Sequence, residues 1–152
     1  MPAPNSYEIN NTLGAFHGTW QWVSGTDTVK IFLTTKKVHI QEDNYDVDLL
    51  VGWHIYKKGS VVVESSYQHI DNVNYRSITL WDDGTAYSTK LQGGINDLTK
   101  YPKYNMLYVT LNSAHTQLTW RCTEWGGRVY SAGETVPAAG VTLPRNMVLV
   151  KQ

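Results

Sequence analysis

Apolar residues recur at alternate positions through most of this chain and hardly anywhere at the three-to-four spacing of a helix face. Successive side chains of a strand point to opposite faces, so Phe16, Gly18, Trp20 and Trp22 share one side. After the turn Ser24-Gly25-Thr26-Asp27 the same side continues through Val29, Ile31 and Leu33. The pattern predicts a hairpin with one apolar face. Val38 to Ile40 and Tyr45 to Tyr56 read as the next strands, the second with Val47, Leu49, Val51, Trp53 and Ile55 on its apolar side. Lys57 to Ser60 reads as a turn into Val61, Val62 and Val63. Ser77 to Trp81 and Thr85 to Lys90 flank Asp82-Asp83-Gly84, a strong hairpin signal. Met106 to Leu111 and Gln117 to Thr123 flank a second, Asn112 to His115. The last strand, Asn146 to Val150, follows Pro144, which cannot donate to a ladder and so marks an entrance. Gln92 to Lys103 and Ser131 to Ala139 read as long loops.

Nine or ten strands joined mainly by hairpins, with no helix to cover a sheet, predict an all-β fold. One antiparallel meander of this size must close or fold over itself, so an up-and-down barrel is expected, with a β-sandwich as the alternative. The 152 residues suffice for a single core, so one domain over 1–152 is expected, with 1–14 an irregular lead-in.

Two resemblances attach to particular residues. Gly18-Thr19-Trp20 resembles the Gly-x-Trp opening of calycins, the lipocalin and avidin group of barrels. That resemblance implies a lipocalin-like barrel whose first-strand tryptophan, Trp20, closes one end beneath a late-strand arginine, here Arg121 with Arg128 second. "FHGTWQWVSGTDTVKIFL", "QLTWRCTEWGGR" and "LPRNMVLVK" are similar to the start, late strand and close of a bacterial family of small β-rich proteins of unknown function. Many of its members are exported, so this resemblance implies a periplasmic or extracellular home. Met1 to Ser6 has no charged or apolar leader character, so an exported form would have lost its leader, and a native Met1 would mean a cytoplasmic protein. Biotin binding is not expected, because bulky Trp22 stands where avidins want a small hydrogen-bonding group.

Charge and composition narrow the picture further. Thirteen basic and thirteen acidic residues leave no net charge and no basic cluster, which argues against nucleic acid or an anionic membrane as partner. No stretch has the apolar length of a spanning helix. Six Trp and ten Tyr against two Phe favour half-exposed walls, where an apolar body meets a polar tip. Cys122 is the sole cysteine, so no internal disulfide forms, and a strand position suits a buried thiol.

The candidate chemistry is thin. Glu42 to Asp48 is acidic but lacks the glycine and late glutamate of a calcium loop, and Asp46 and Asp48 read as a solvated strand face. His17, His39, His54, His69 and His115 form no close ligand pair, and the first three fall opposite the apolar faces, on the expected surface. There is no Gly-x-Ser-x-Gly elbow or phosphate loop, so no catalytic residue, metal or cofactor is expected. The leading expectation is a non-enzymatic binding protein, holding a small apolar or amphipathic ligand in the barrel mouth. Trp22, Trp53, Tyr87 and Trp120 are the expected ligand contacts, with Trp20 and Arg121 structural. The alternative is a surface module that binds carbohydrate or protein through exposed aromatics such as Trp81, Tyr101, Tyr104, Trp125 and Tyr130.

Overall fold

A computed structural model describes residues 2–82, 88–100, 103–126, 131–135 and 138–152. Its ten strands are β1 (Tyr7–Glu8), β2 (Gly18–Ser24), β3 (Asp27–Ile40), β4 (Tyr45–Lys58) and β5 (Val61–Ser65), then β6 (Ile78–Asp82), β7 (Lys90–Asn96), β8 (Tyr104–Leu111), β9 (Gln117–Glu124) and β10 (Asn146–Lys151). Three short 3-10 turns, Leu13–Phe16, Tyr67–His69 and Val73–Tyr75, are the only helical elements among the described residues. Strands β4, β3, β2, β10, β9, β8, β7 and β6 pair antiparallel in that order, and β6 pairs back onto β4. The sheet is thus an eight-stranded closed antiparallel barrel and not a sandwich. Closure removes the open edges that a flat sheet of this length would expose.

Strand β4 is the seam. One of its edges pairs with β3 along the whole length, from Asp27↔Lys58 to Ile40↔Tyr45. Its other edge is shared by β1 near Asp46, β6 at Leu50 to Gly52, and β5 from Ile55 onward. Tyr7–Glu8 therefore adds a short parallel strand within the lead-in expected to be irregular. Val38 to Ile40 is the far end of β3, because Thr34 to Lys37 continue the ladder without a turn. The expected loop from Gln92 begins as strand β7. Gly93 and Gly94 are there for close approach, since a Cβ on Gly93 would lie 2.0 Å from the Thr79 carbonyl oxygen and Tyr104 lies across Gly94. Residues 83–87 of the Asp82-Asp83-Gly84 hairpin lie outside the described residues.

Inward side chains fill the barrel. Trp20, Ile31, Leu33, Leu50, Leu80, Leu107, Trp120 and Leu149 are all at most 1% exposed. Eight strands leave an interior just wide enough for such a filling.

The faces of β4 are the reverse of those expected. Leu50 and Tyr56 join the core cluster, which puts Gly52 and His54 on the inner face too. Val51 and Trp53 point outward. Trp53 is nonetheless fully buried, stacked on outward Phe32 with ring centroids 6.2 Å apart. The β5–β6 connection lies against this outer side: its Tyr67–His69 turn touches β4, and its Asp71 pairs with Lys36 of β3. With apolar residues on both faces, alternation alone does not say which face is inside.

Candidate functional site

The two ends of the barrel are built differently. The plug end holds the start of β2, the starts of β7 and β9, and the ends of β6, β8 and β10. The chain before β2 crosses it and drops Leu13 and Phe16, both fully buried, into the core. This strap is tied down at several points. Tyr7 Oη donates to Asp48 Oδ1 at 2.7 Å, Asn10 N donates to Asp48 Oδ2 at 3.1 Å, and Asn10 Nδ2 donates to Asp82. Expected from the sequence on a solvated strand face, Asp48 is instead buried as the strap's anchor. The Trp20 indole N–H donates to the Phe16 carbonyl at 2.9 Å, which fixes the plug to the barrel floor.

A cation does lie over Trp20, but it is Lys151, whose Nζ sits 5.2 Å from the ring centroid. Arg121 does not fill that role. It alternates with inward Trp120 and Cys122 and so is exposed on the outer wall. Arg128 lies outside the described residues.

At the plug end a cleft of about 330 Å³ opens beside the strap. Ala15, Phe16 and Leu111 form its apolar floor, while Asn11, Thr12, Ser88, Thr89 and His115 form a polar rim. His115 is at the β8–β9 turn with φ +56°, a conformation that turns tolerate and that lifts its ring to the rim.

The opposite, stitched end is closed by polar contacts. His54, with no exposed surface, sits between Glu64 and Ser77. His54 Nε2 is 2.7 Å from Glu64 Oε1, and His54 Nδ1 is 2.7 Å from Ser77 Oγ. The His54 backbone N–H donates to Ser66 Oγ at 3.0 Å, and Ser66 Oγ lies 2.8 Å from Ser77 Oγ. One donor order satisfies every member: His54 N–H to Ser66, Ser66 to Ser77, Ser77 to Nδ1, and Nε2–H to Glu64. Glu64 Oε2 then accepts from Leu98 N and Thr99 Oγ1, both at 3.2 Å, and so ties the β7–β8 loop to the wall. A serine, a histidine and a carboxylate in hydrogen-bonded sequence would suit nucleophilic catalysis in an open cleft. Here Ser77 is 3% exposed and Glu64 5%, so the arrangement works as a buried clasp.

Asp97 makes the second stitch. Its carboxylate accepts from Thr99 N at 3.0 Å, Lys100 N at 2.6 Å, Thr142 N at 2.6 Å and Thr142 Oγ1 at 2.8 Å. Burial by itself would raise the carboxyl, but these donors outweigh it and hold Asp97 below its ordinary value. Cys122, nearby in the core, is pushed up to about 12 by burial first and the Asp97 charge second. It is no nucleophile near neutrality.

Among the described residues, the expected ligand contacts Trp22, Trp53 and Trp120 are not brought together in one site. Trp22 is half-buried near the β2–β3 turn, at the stitched end and away from the cleft. Trp120 is inward and 1% exposed, and its indole N–H has no partner among the described residues. Trp53 is outside the barrel and covered. Tyr87 lies outside the described residues, as do Tyr101 and Tyr130. His54 was expected on the surface and is instead fully buried. Its signal was present in the sequence as polar residues bracketed by apolar ones on both β4 faces, but this pattern has no direction.

The chain belongs to a family of unknown function, DUF6705, whose model matches residues 2–152. No curated protein and no solved structure matches it.

Proposed function

We propose that this protein binds a small amphipathic molecule at the plug end, its apolar part on Ala15, Phe16 and Leu111 and its polar part at the Asn11, Thr12 and His115 rim. The observation that carries this reading is the cleft itself, about 330 Å³ with an apolar floor and a polar rim. Such a volume falls within the size range of small-molecule sites, near about 300 Å³ at its lower bound. The packed interior supports a ligand at the mouth rather than one deep in the barrel. The calycin-like reading of Gly18-Thr19-Trp20 fits the same proposal, with Trp20 sealing the barrel beneath the plug and Lys151 as the cation over it. No residue is assigned a catalytic role.

Burying apolar surface contributes about 25 cal/mol per Å² before association costs, so micromolar affinity needs no special chemistry. The test is calorimetric titration with decanoate and with an anilinonaphthalene sulfonate. Saturable binding is expected in the parent, and Ala15→Trp, which fills the floor, should weaken it by about tenfold or more. Trp22→Ala, at the other end, should leave affinity unchanged. Absence of binding by the parent, or a loss in Trp22→Ala with none in Ala15→Trp, would overturn the reading.

A further inference from the structure

The outer wall of the barrel carries a row of side chains that neither the core nor the plug-end cleft uses. Trp81 of β6 is paired with Gln92 of β7, Gln92 with Tyr108 of β8, Tyr108 with Arg121 of β9, and Arg121 with Asn146 of β10. Cross-strand partners stand side by side on one face, so these five form a straight line across five strands. Trp81 is 37% exposed and Tyr108 41%, and Arg121 is exposed. Two strand spacings separate the aromatics, or about 10 Å.

Charge on this wall is one-sided. The outward positions of β7, β8 and β9 hold two charged residues, Lys90 and Arg121, and both are cations. The whole chain has as many acidic as basic residues, so the bias belongs to this face. Among the described residues, Arg121 makes no ion pair or hydrogen bond through its guanidinium. A shallow groove of about 170 Å³ runs between β7 and β8, and Lys90, Gln92, Tyr108 and Thr110 line it.

From this juxtaposition we infer that the outer wall binds an acidic oligosaccharide, a chain of pyranose rings bearing carboxylates. Ring faces of sugars are apolar in their C–H groups, and exposed indole and phenol faces held on a rigid sheet offer them flat partners. Gln92 and the Tyr108 hydroxyl supply donors and acceptors for ring hydroxyls. Arg121 presents a planar fork that matches a carboxylate, and Lys90 adds a second positive charge along the groove. A protein partner would want a continuous apolar centre, whereas polar Gln92 separates these aromatics and Arg121 bounds them. Single-stranded nucleic acid would want a longer cationic track than two residues.

The test is titration of the full chain with a galacturonate tetramer, a cellulose tetramer and a short oligothymidylate, at low and at high salt. The galacturonate should bind saturably, with affinity falling as salt rises, and more tightly than the other two. Arg121→Gln should weaken it by about tenfold, the usual loss on removing a charge-assisted hydrogen bond. Trp81→Ala or Tyr108→Ala should weaken it as well, with unchanged melting of Arg121→Gln and Tyr108→Ala showing that the barrel is intact. Ala15→Trp should have no effect, so this site and the plug-end cleft stand or fall separately. No binding of the galacturonate, equal binding of the neutral tetramer, tighter binding of the oligonucleotide, or full affinity in Arg121→Gln would each overturn the inference.

Discussion

The two mouths of the barrel close by different balances of contact. Both use a buried carboxylate, Asp48 at one and Glu64 and Asp97 at the other, and the plug end adds an inserted apolar strap. At the plug end, apolar side chains from a strap enter the core, and Leu13, Phe16 and Trp20 stack closure on burial. At the stitched end, loops are held by buried acceptors, Glu64 and Asp97, that collect N–H and O–H donors. Burial is non-directional, so the plug can shift slightly without losing most of its contribution. Hydrogen bonds to a buried carboxylate are directional, and any broken one leaves an unsatisfied charged group. The plug end can therefore border an open cleft, whereas the stitched end must stay intact.

The largest effects should come from emptying each closure. Trp20→Ala should cost about 3–5 kcal/mol, the range for removing a buried aromatic. Glu64→Ala should cost about as much, roughly 3–5 kcal/mol, because His54 loses its buried partner. Urea midpoints of these two variants cannot by themselves separate the mechanisms, but a double variant can. His54→Leu with Glu64→Met should recover part of the Glu64→Ala loss, since the buried pair is replaced by apolar groups while Ser77, Leu98 and Thr99 still lose their partners. A double variant no more stable than Glu64→Ala would show that His54 and Glu64 do not act as a pair.

Acid should attack the two ends in different windows. At the plug end, His17 Nε2 accepts the Thr35 backbone N–H at 3.0 Å, and burial first, then Lys151, lowers the histidine below its ordinary 6.5. The unfolded chain then takes up a proton that the folded one resists, so stability declines as pH falls below 6.5 and levels off at the lowered value. At the stitched end, Asp97 is lowered from 3.8, so its contribution is complete above that value and is lost as pH falls through the lowered one. Asp97→Asn should cost about 1.5–3 kcal/mol near neutrality and almost nothing in strong acid. Chemical denaturation across pH measures both. A His17→Gln variant that keeps the shallow step below 6.5 would reassign that step to another group.

A smaller difference separates the two fully buried inward tryptophans, Trp20 and Trp120. Trp20→Phe and Trp120→Phe remove the same volume, but among the described residues only the Trp20 N–H has an acceptor. Trp20→Phe should be the costlier by about 1 kcal/mol, the net worth of one buried hydrogen bond. Equal losses would mean that the Trp20–Phe16 bond does not hold the plug.

Much of this architecture is legible without coordinates. Alternation in Phe16 to Leu33 predicts the β2–β3 hairpin and the inward side of Trp20, and Asn112 to His115 predicts the β8–β9 turn, because period and turn chemistry are local properties. The closing partner of Trp20 is not local. Lys151 and Arg121 are both cations near the chain's end, and only the β10–β2 pairing Lys151↔Trp20 brings one of them over the indole. Strand β4 shows the same limit more sharply. Val51 and Trp53 make one face apolar, Leu50 and Tyr56 make the other apolar, and the β5–β6 connection decides that the first is outside. With that decision His54 moves from surface to core and meets Glu64, ten residues away, and Ser77, twenty-three away. Sequence alone thus determined the all-β class, most of the hairpins and one barrel-facing side, but not β1, the extent of β7 or the unbroken run of β3. Which face of the seam looks inward, and so which polar residues are clasped there, was decided by tertiary packing, because a covered outer face and a core face bury the same kinds of side chain.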